Sequence, residues 1–199
     1  MRCGLLAGAM LAIAAIFGVS IAARDEGLSP RRVAALAAVG EVVPAVYGEE
    51  RFARLAPGYS PEILKKFPTF TTCGYLPAFI ARQLGARGRI LQAGTNLLRD
   101  EGRTRGAWVE WRPGRLPKPG DLYALVNAAG GVVHVGVVVA ADHTRWETAD
   151  AGQGTRERQR TERVIRAFNS SMGALASGTS TKRVGGWIDI DAFPFGEDI

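Results

Sequence analysis

Histidine and cysteine are scarce in this 199-residue chain, with two of each. His134, His143, Cys3 and Cys73 are too few and too scattered for a structural zinc set, so neither a metal nor any other cofactor is expected. Aromatic residues make up only 8%, and no internal repeat or long low-complexity tract is present. These absences exclude solenoids and disordered polar tails. No nucleic-acid module signature accompanies the basic balance of 25 Lys+Arg against 19 Asp+Glu, so nucleic acid is not expected as a partner. The net charge of +6 suits an anionic polymer or surface. Hydrophobic residues make up 47% of the chain, enough for one ordinary core.

The opening, MRCGLLAGAMLAIAAIFGVSIAARDE, has one basic residue ahead of an uncharged apolar run. Ser20 and Ala22 fall where signal peptidase requires small residues. Residues 1–22 are therefore expected to be an export signal, which places the mature chain in the periplasm or outside the cell. The alternative is an uncleaved anchor through residues 4–23, a run close to the ~20 residues that span a bilayer. Cleavage leaves Cys73 as the sole cysteine of the mature chain, with no internal disulfide partner.

Three segments follow: residues 1–22, a helical lead-in over 23–58, and a main domain over 59–199. Ser29-Pro30 and Ser60-Pro61 each pair an N-cap with a first-turn proline, opening RRVAALAAVGEVV and EILKKF. In CGYLPAFIARQLG, Leu76, Phe79, Ile80 and Leu84 fall on one helical face, and Gly85 marks the end. A further helix is predicted from near Thr95 to Gly106. Beyond it, AWVEW, DLYALV, VVHVGVVV, RWETAD, ERVIRAF and GGWIDID alternate as strands between Gly, Pro and Asn turns. SSMGALASGTSTKR reads as a mobile loop. Helices first and antiparallel strands afterwards predict an α+β domain.

Cys73 stands at or just before a helix start, where unpaired N–H groups and the helix dipole favour a thiolate and offer donors for an oxyanion. Pro77 confines Cys73 to the first turn or the one before it. The other reading of a lone cysteine is apolar filler. His134 lies inside a strand and shares a face with Gly136, which leaves space beside the imidazole. His143, in AADHTR, reads as a solvated turn residue. A hairpin about Asp142 would pair His134 with Asp150, Gly136 with Thr148 and Val138 with Trp146, and would send Glu147 to the other face. Asp150 is thus the expected orienting group for His134. A one-residue slip would exchange it for Glu147, and the amide of Gln153 is a further alternative.

TTCGYLPAFIARQLG, KPGDLYAL and HVGVVV, in that order, resemble the NlpC-type branch of papain-like cysteine peptidases, which is related to the CHAP amidases. The resemblance covers roughly residues 60 to 155. It implies a papain-like α+β fold, with N-terminal helices packed on an antiparallel β-sheet and a Pro119-Gly120-Asp121 turn opening the first core strand. It implies a catalytic set of Cys73, His134 and Asp150 and cleavage of amide or peptide bonds in bacterial peptidoglycan, with an immunity or inhibitor protein as a possible partner. The sequence departs from the family at Gly74 and Pro77, where a small polar residue and an unbroken helix are usual, and in having Asp at position 150. The alternatives are a Cys–His acyltransferase or lipid amidase, and a non-catalytic wall- or membrane-associated binding protein.

Overall fold

The computed structural model describes residues 27–43, 72–154, 159–177 and 180–196. The expected export signal and the expected helix at EILKKF fall outside these residues. Among the described residues no helix is long and apolar enough to cross a membrane.

Three short α-helices are present among the described residues: α1 (Pro30–Val42), α2 (Tyr75–Gln83) and α3 (Thr95–Thr104). Seven strands follow: β1 (Trp108–Glu110), β2 (Leu122–Val126), β3 (Val132–Ala141), β4 (Arg145–Gly154), β5 (Gln159–Asn169), β6 (Ala174–Ser177) and β7 (Ser180–Ile188). Strands β2 to β7 pair antiparallel in sequence order, and β7 returns to pair with β2. The six strands close into a barrel. The free length of β7 beyond β6 carries β1 as the seventh strand.

This overturns the expected papain-like α+β fold with helices on a sheet: the chain is mostly β, built on a closed barrel. The error lies in SSMGALASGTSTKR, expected to be a loop. Its Ala174–Ser177 segment is β6, and Ser180 to Arg183 belong to β7. Register pairs Ala174 with Arg183 and Ser177 with Ser180, and this hairpin closes the barrel. Small residues and a lack of β-branched alternation concealed a strand whose formation rests on pairing at both edges.

Two cores result. Tyr123, Leu125, Val138, Trp146, Phe168, Leu175, Val184 and Trp187 form one cluster, and their places in the strand alternation turn them into the barrel. The residues between them, including Leu122, Ala124, Val135, Val137 and Ala149, face outward and pack with Leu76, Ile80 and Leu98 of the helices. Leu76 and Ile80 are fully buried, and Phe79 and Leu84 lie against them.

The lead-in helix α1 is bolted to the barrel by one buried arginine. Ser29 caps α1 by accepting from the Arg32 amide at 3.3 Å. The Arg32 guanidinium donates to Asp191 Oδ2 at 2.7 Å, to Asp121 Oδ1 and Pro119 O at 2.8 Å each, and to Asp189 Oδ1 at 2.6 Å. The Asp121 carboxylate also accepts from the Lys118 amide at 2.7 Å and the Ile190 amide at 3.3 Å. The Pro-Gly-Asp turn thus joins α1, β2 and the segment after β7. Burial pushes the Asp121 carboxyl up, and Arg32 only partly offsets this, leaving it at about 6.

Candidate functional site

Cys73 lies in a single 3₁₀ turn, Thr72–Gly74, that runs directly into α2. Pro77 is the third residue of α2, within the first turn, where a missing N–H costs nothing. Gly74 is dictated by packing: a Cβ there would fall 1.8 Å from the Ala93 carbonyl oxygen. The chain entering α3 crosses against this turn, so no larger residue fits. Gly152, at φ +69°, brings β4 equally close, since a Cβ would lie 2.2 Å from Thr72 Oγ1 and 2.8 Å from the Cys73 nitrogen.

His134 sits near the start of β3, opposite Leu125 of β2. Its Nε2 is 2.7 Å from Asp150 Oδ1, and its imidazole also hydrogen-bonds the Cys73 side chain. With Nε2 on Asp150, Nδ1 is the ring nitrogen left for the thiol. Cys73, His134 and Asp150 therefore form one hydrogen-bonded line from the α2 start into the barrel. Cys73 and His134 keep only 8% of their surface exposed, which limits solvent screening of their charges.

Asp150 is fully buried and receives four donors. Oδ1 accepts from Tyr123 Oη at 2.6 Å as well as from His134. Oδ2 accepts from Thr148 Oγ1 at 2.7 Å and from Arg166 Nη2 at 3.0 Å. Arg166 also donates to Thr148 Oγ1 at 3.3 Å and to the Ala176 carbonyl of β6 at 3.1 Å. Burial disfavours the Asp150 carboxylate, but His134, Arg166 and Tyr123 outweigh it and hold the carboxyl well below its usual range. Burial likewise opposes the His134 imidazolium. The Asp150 charge and hydrogen bond, with help from Cys73, overcome it and raise the imidazole to about 9. Burial and the Asp150 charge push the Tyr123 phenol up, so it stays a neutral donor.

The expected hairpin register differs from the observed one by two residues. At the turn Ala141 pairs with Trp146, three positions from the expected register, and the one-residue bulge between Val138 and Ala140 brings the offset to two, so that Val138 pairs with Thr148 and not Trp146. A shift of two preserves the faces. Asp150 lies diagonal to His134 and across from Gly136. The space at Gly136 serves the carboxylate: a Cβ would lie 2.4 Å from Asp150 Oδ1 and 2.7 Å from Tyr123 Cε1. Glu147 is turned away and pairs with Arg163 at 3.5 Å. The Gln153 amide donates to the Ala151 carbonyl at 3.3 Å. His143 is exposed in the β3–β4 turn.

Tyr123, Thr148 and Arg166 were not singled out from the sequence. A signal for one of them existed: in ERVIRAF, Arg166 shares parity with buried Phe168 between exposed Ile165 and Ala167. An arginine at an inward position requires a buried carboxylate partner.

No protein-family model, curated protein or solved structure matches the chain.

Proposed function

We propose that the chain is a cysteine hydrolase that cleaves amide or peptide bonds through a covalent thioester. The observation that carries this reading is the continuous Cys73–His134–Asp150 hydrogen-bonded line, with the imidazole raised to about 9. An imidazole that holds its proton this firmly favours a thiolate–imidazolium pair over a neutral thiol. The Cys73 sulfur attacks the carbonyl carbon, and the C–S bond forms as the carbonyl electrons move to oxygen. Backbone N–H groups around the Cys73 turn hold that oxyanion. His134 then gives its proton to the leaving amine. Water, deprotonated by the same imidazole, breaks the C–S bond, releases the acid and regenerates the thiol. Asp150 keeps Nε2 protonated and Nδ1 directed at sulfur throughout.

The proposed substrate is peptidoglycan. The resemblance of TTCGYLPAFIARQLG and HVGVVV to NlpC-type motifs and the net charge of +6, suited to an anionic wall polymer, support this choice. The export signal read at residues 1–22 is in keeping with it.

Digestion of purified peptidoglycan, with fragments identified by mass, tests the reading. The intact chain is expected to release stem-peptide fragments carrying new termini. Cys73→Ala should release none while keeping its circular dichroism spectrum. Undiminished release by Cys73→Ala would end the covalent mechanism.

A further inference from the structure

Away from Cys73, a cleft of about 390 Å³ opens where α3, β1, β7 and the β2–β3 turn meet. That is within the ~300–1,000 Å³ usual for small-molecule sites. Arg99, Arg103, Arg183, Glu110, Trp111 and Gly130 are among its lining residues. Three arginines and one glutamate therefore line the cleft. Arg103 pairs with that glutamate, Glu110, across the cleft wall. Arg183 is exposed and makes no ion pair among the described residues.

Two lining residues carry buried donors without acceptors among the described residues. Arg99 is fixed by donating Nη1 to the Gly130 carbonyl at 2.8 Å and Nη2 to Asn96 Oδ1 at 3.4 Å. Its Nε is buried and finds no hydrogen-bond partner among the described residues. The Asp100 carboxylate stands 3.6 Å from that Nε, outside hydrogen-bonding range. Trp111 Nε1 is likewise buried without an acceptor. Both nitrogens are closed off from the cleft surface, so the donors a ligand meets are the outer guanidinium N–H groups of Arg99, Arg103 and Arg183. A planar or tetrahedral oxyanion supplies several acceptor oxygens at once and matches the guanidinium fork.

We propose that this cleft is a binding site for an oxyanion-bearing ligand, a carboxylate or phosphate group gripped by Arg99 and Arg183 beside the Trp111 indole. The site is separate from Cys73 and does not depend on the hydrolase reading. Glu110 competes with the ligand for Arg103, so the carboxylate tunes affinity downward.

Calorimetric titration of the intact chain with inorganic phosphate, and separately with glutarate, tests the proposal. Saturable binding at one equivalent is expected for at least one anion, and the tighter of the two identifies the headgroup chemistry. Arg183→Gln, at an exposed position, should weaken binding about fivefold, the scale of one partly exposed ion pair. Glu110→Gln should tighten it. Cys73→Ala should bind as the unaltered chain does, which keeps this result independent of hydrolysis. Absence of saturable binding for both anions would overturn the proposal. So would binding unchanged in both Arg183→Gln and Glu110→Gln.

Discussion

Arg166 of β5 donates to Asp150 of the neighbouring strand β4 at 3.0 Å, and both side chains are buried. The pair ties the candidate site to barrel closure, because the same guanidinium holds the Ala176 carbonyl of β6. Removing one partner of such a pair strands the other charge. Arg166→Met is expected to lower stability by about 3–5 kcal/mol in denaturant unfolding. Tyr123→Phe removes one neutral donor and should cost about 1 kcal/mol. Equal, small losses from both would mean that the guanidinium carries no special share of the carboxylate's stabilisation.

Asp150→Asn and Glu147→Gln separate the two acids by the face each occupies. Asp150→Asn should lower turnover by orders of magnitude, because the amide no longer enforces the Nε2–H tautomer. It should also move the basic limb of the pH–rate profile downward, since the charge that raises His134 is gone. Glu147→Gln weakens the contact with Arg163, away from His134, and should leave turnover nearly unchanged. A larger loss from Glu147→Gln would contradict the observed register.

Stability should carry the signature of His134. Its folded-state value of about 9 lies above the ordinary 6.5, so its contribution is complete below pH 6.5 and lost as pH rises through 9. Asp150 is shifted the other way, so its contribution is present above the ordinary 3.8 and lost as pH falls through its depressed value. The pair therefore contributes in full between pH 3.8 and 6.5. The melting temperature should fall between about pH 6.5 and pH 9.5, and fall less in His134→Gln. Identical slopes in the two chains would remove the basis for a raised imidazole.

Two glycines test packing in opposite directions. Gly136→Ala drives a Cβ to 2.4 Å from Asp150 Oδ1 and should cost about 1–3 kcal/mol along with turnover. Gly40, exposed within α1, has nothing within 4 Å of a built Cβ. Gly40→Ala should stabilise by roughly 0.5–1 kcal/mol through helix propensity. Parallel thermal melts compare them.

Much of this site was legible in the sequence because its residues obey local periodicity. Leu76 and Ile80 declared the helix that follows Cys73, and alternation in VVHVGVVV and RWETAD put His134 and Asp150 on one face. The face assignment holds because the bulge between Val138 and Ala140 turns an odd offset at the hairpin turn into an even one, which preserves parity; the pairing partners differ. Barrel closure was not legible. β6 carries the small residues Ala174, Ala176 and Ser177, whose strand conformation depends on partners distant in sequence. Arg166 escaped notice for a related reason: its meaning depends on Asp150, reached only once β4 and β5 are side by side. Gly74 is fixed by the Ala93 carbonyl oxygen, which local sequence pattern does not connect to it.

The thiolate absorbance of Cys73 near 240 nm, followed against pH, tests the central claim most directly. It is taken as the difference between the intact chain and Cys73→Ala, which cancels any signal from Cys3. The thiolate–imidazolium reading predicts absorbance that persists well below the ordinary thiol value of about 8.5 and that reverts toward it in His134→Ala. A thiolate appearing only near or above about 8.5, with the same midpoint whether or not His134 is present, would contradict the assignment of Cys73 and His134 as a nucleophile and its base.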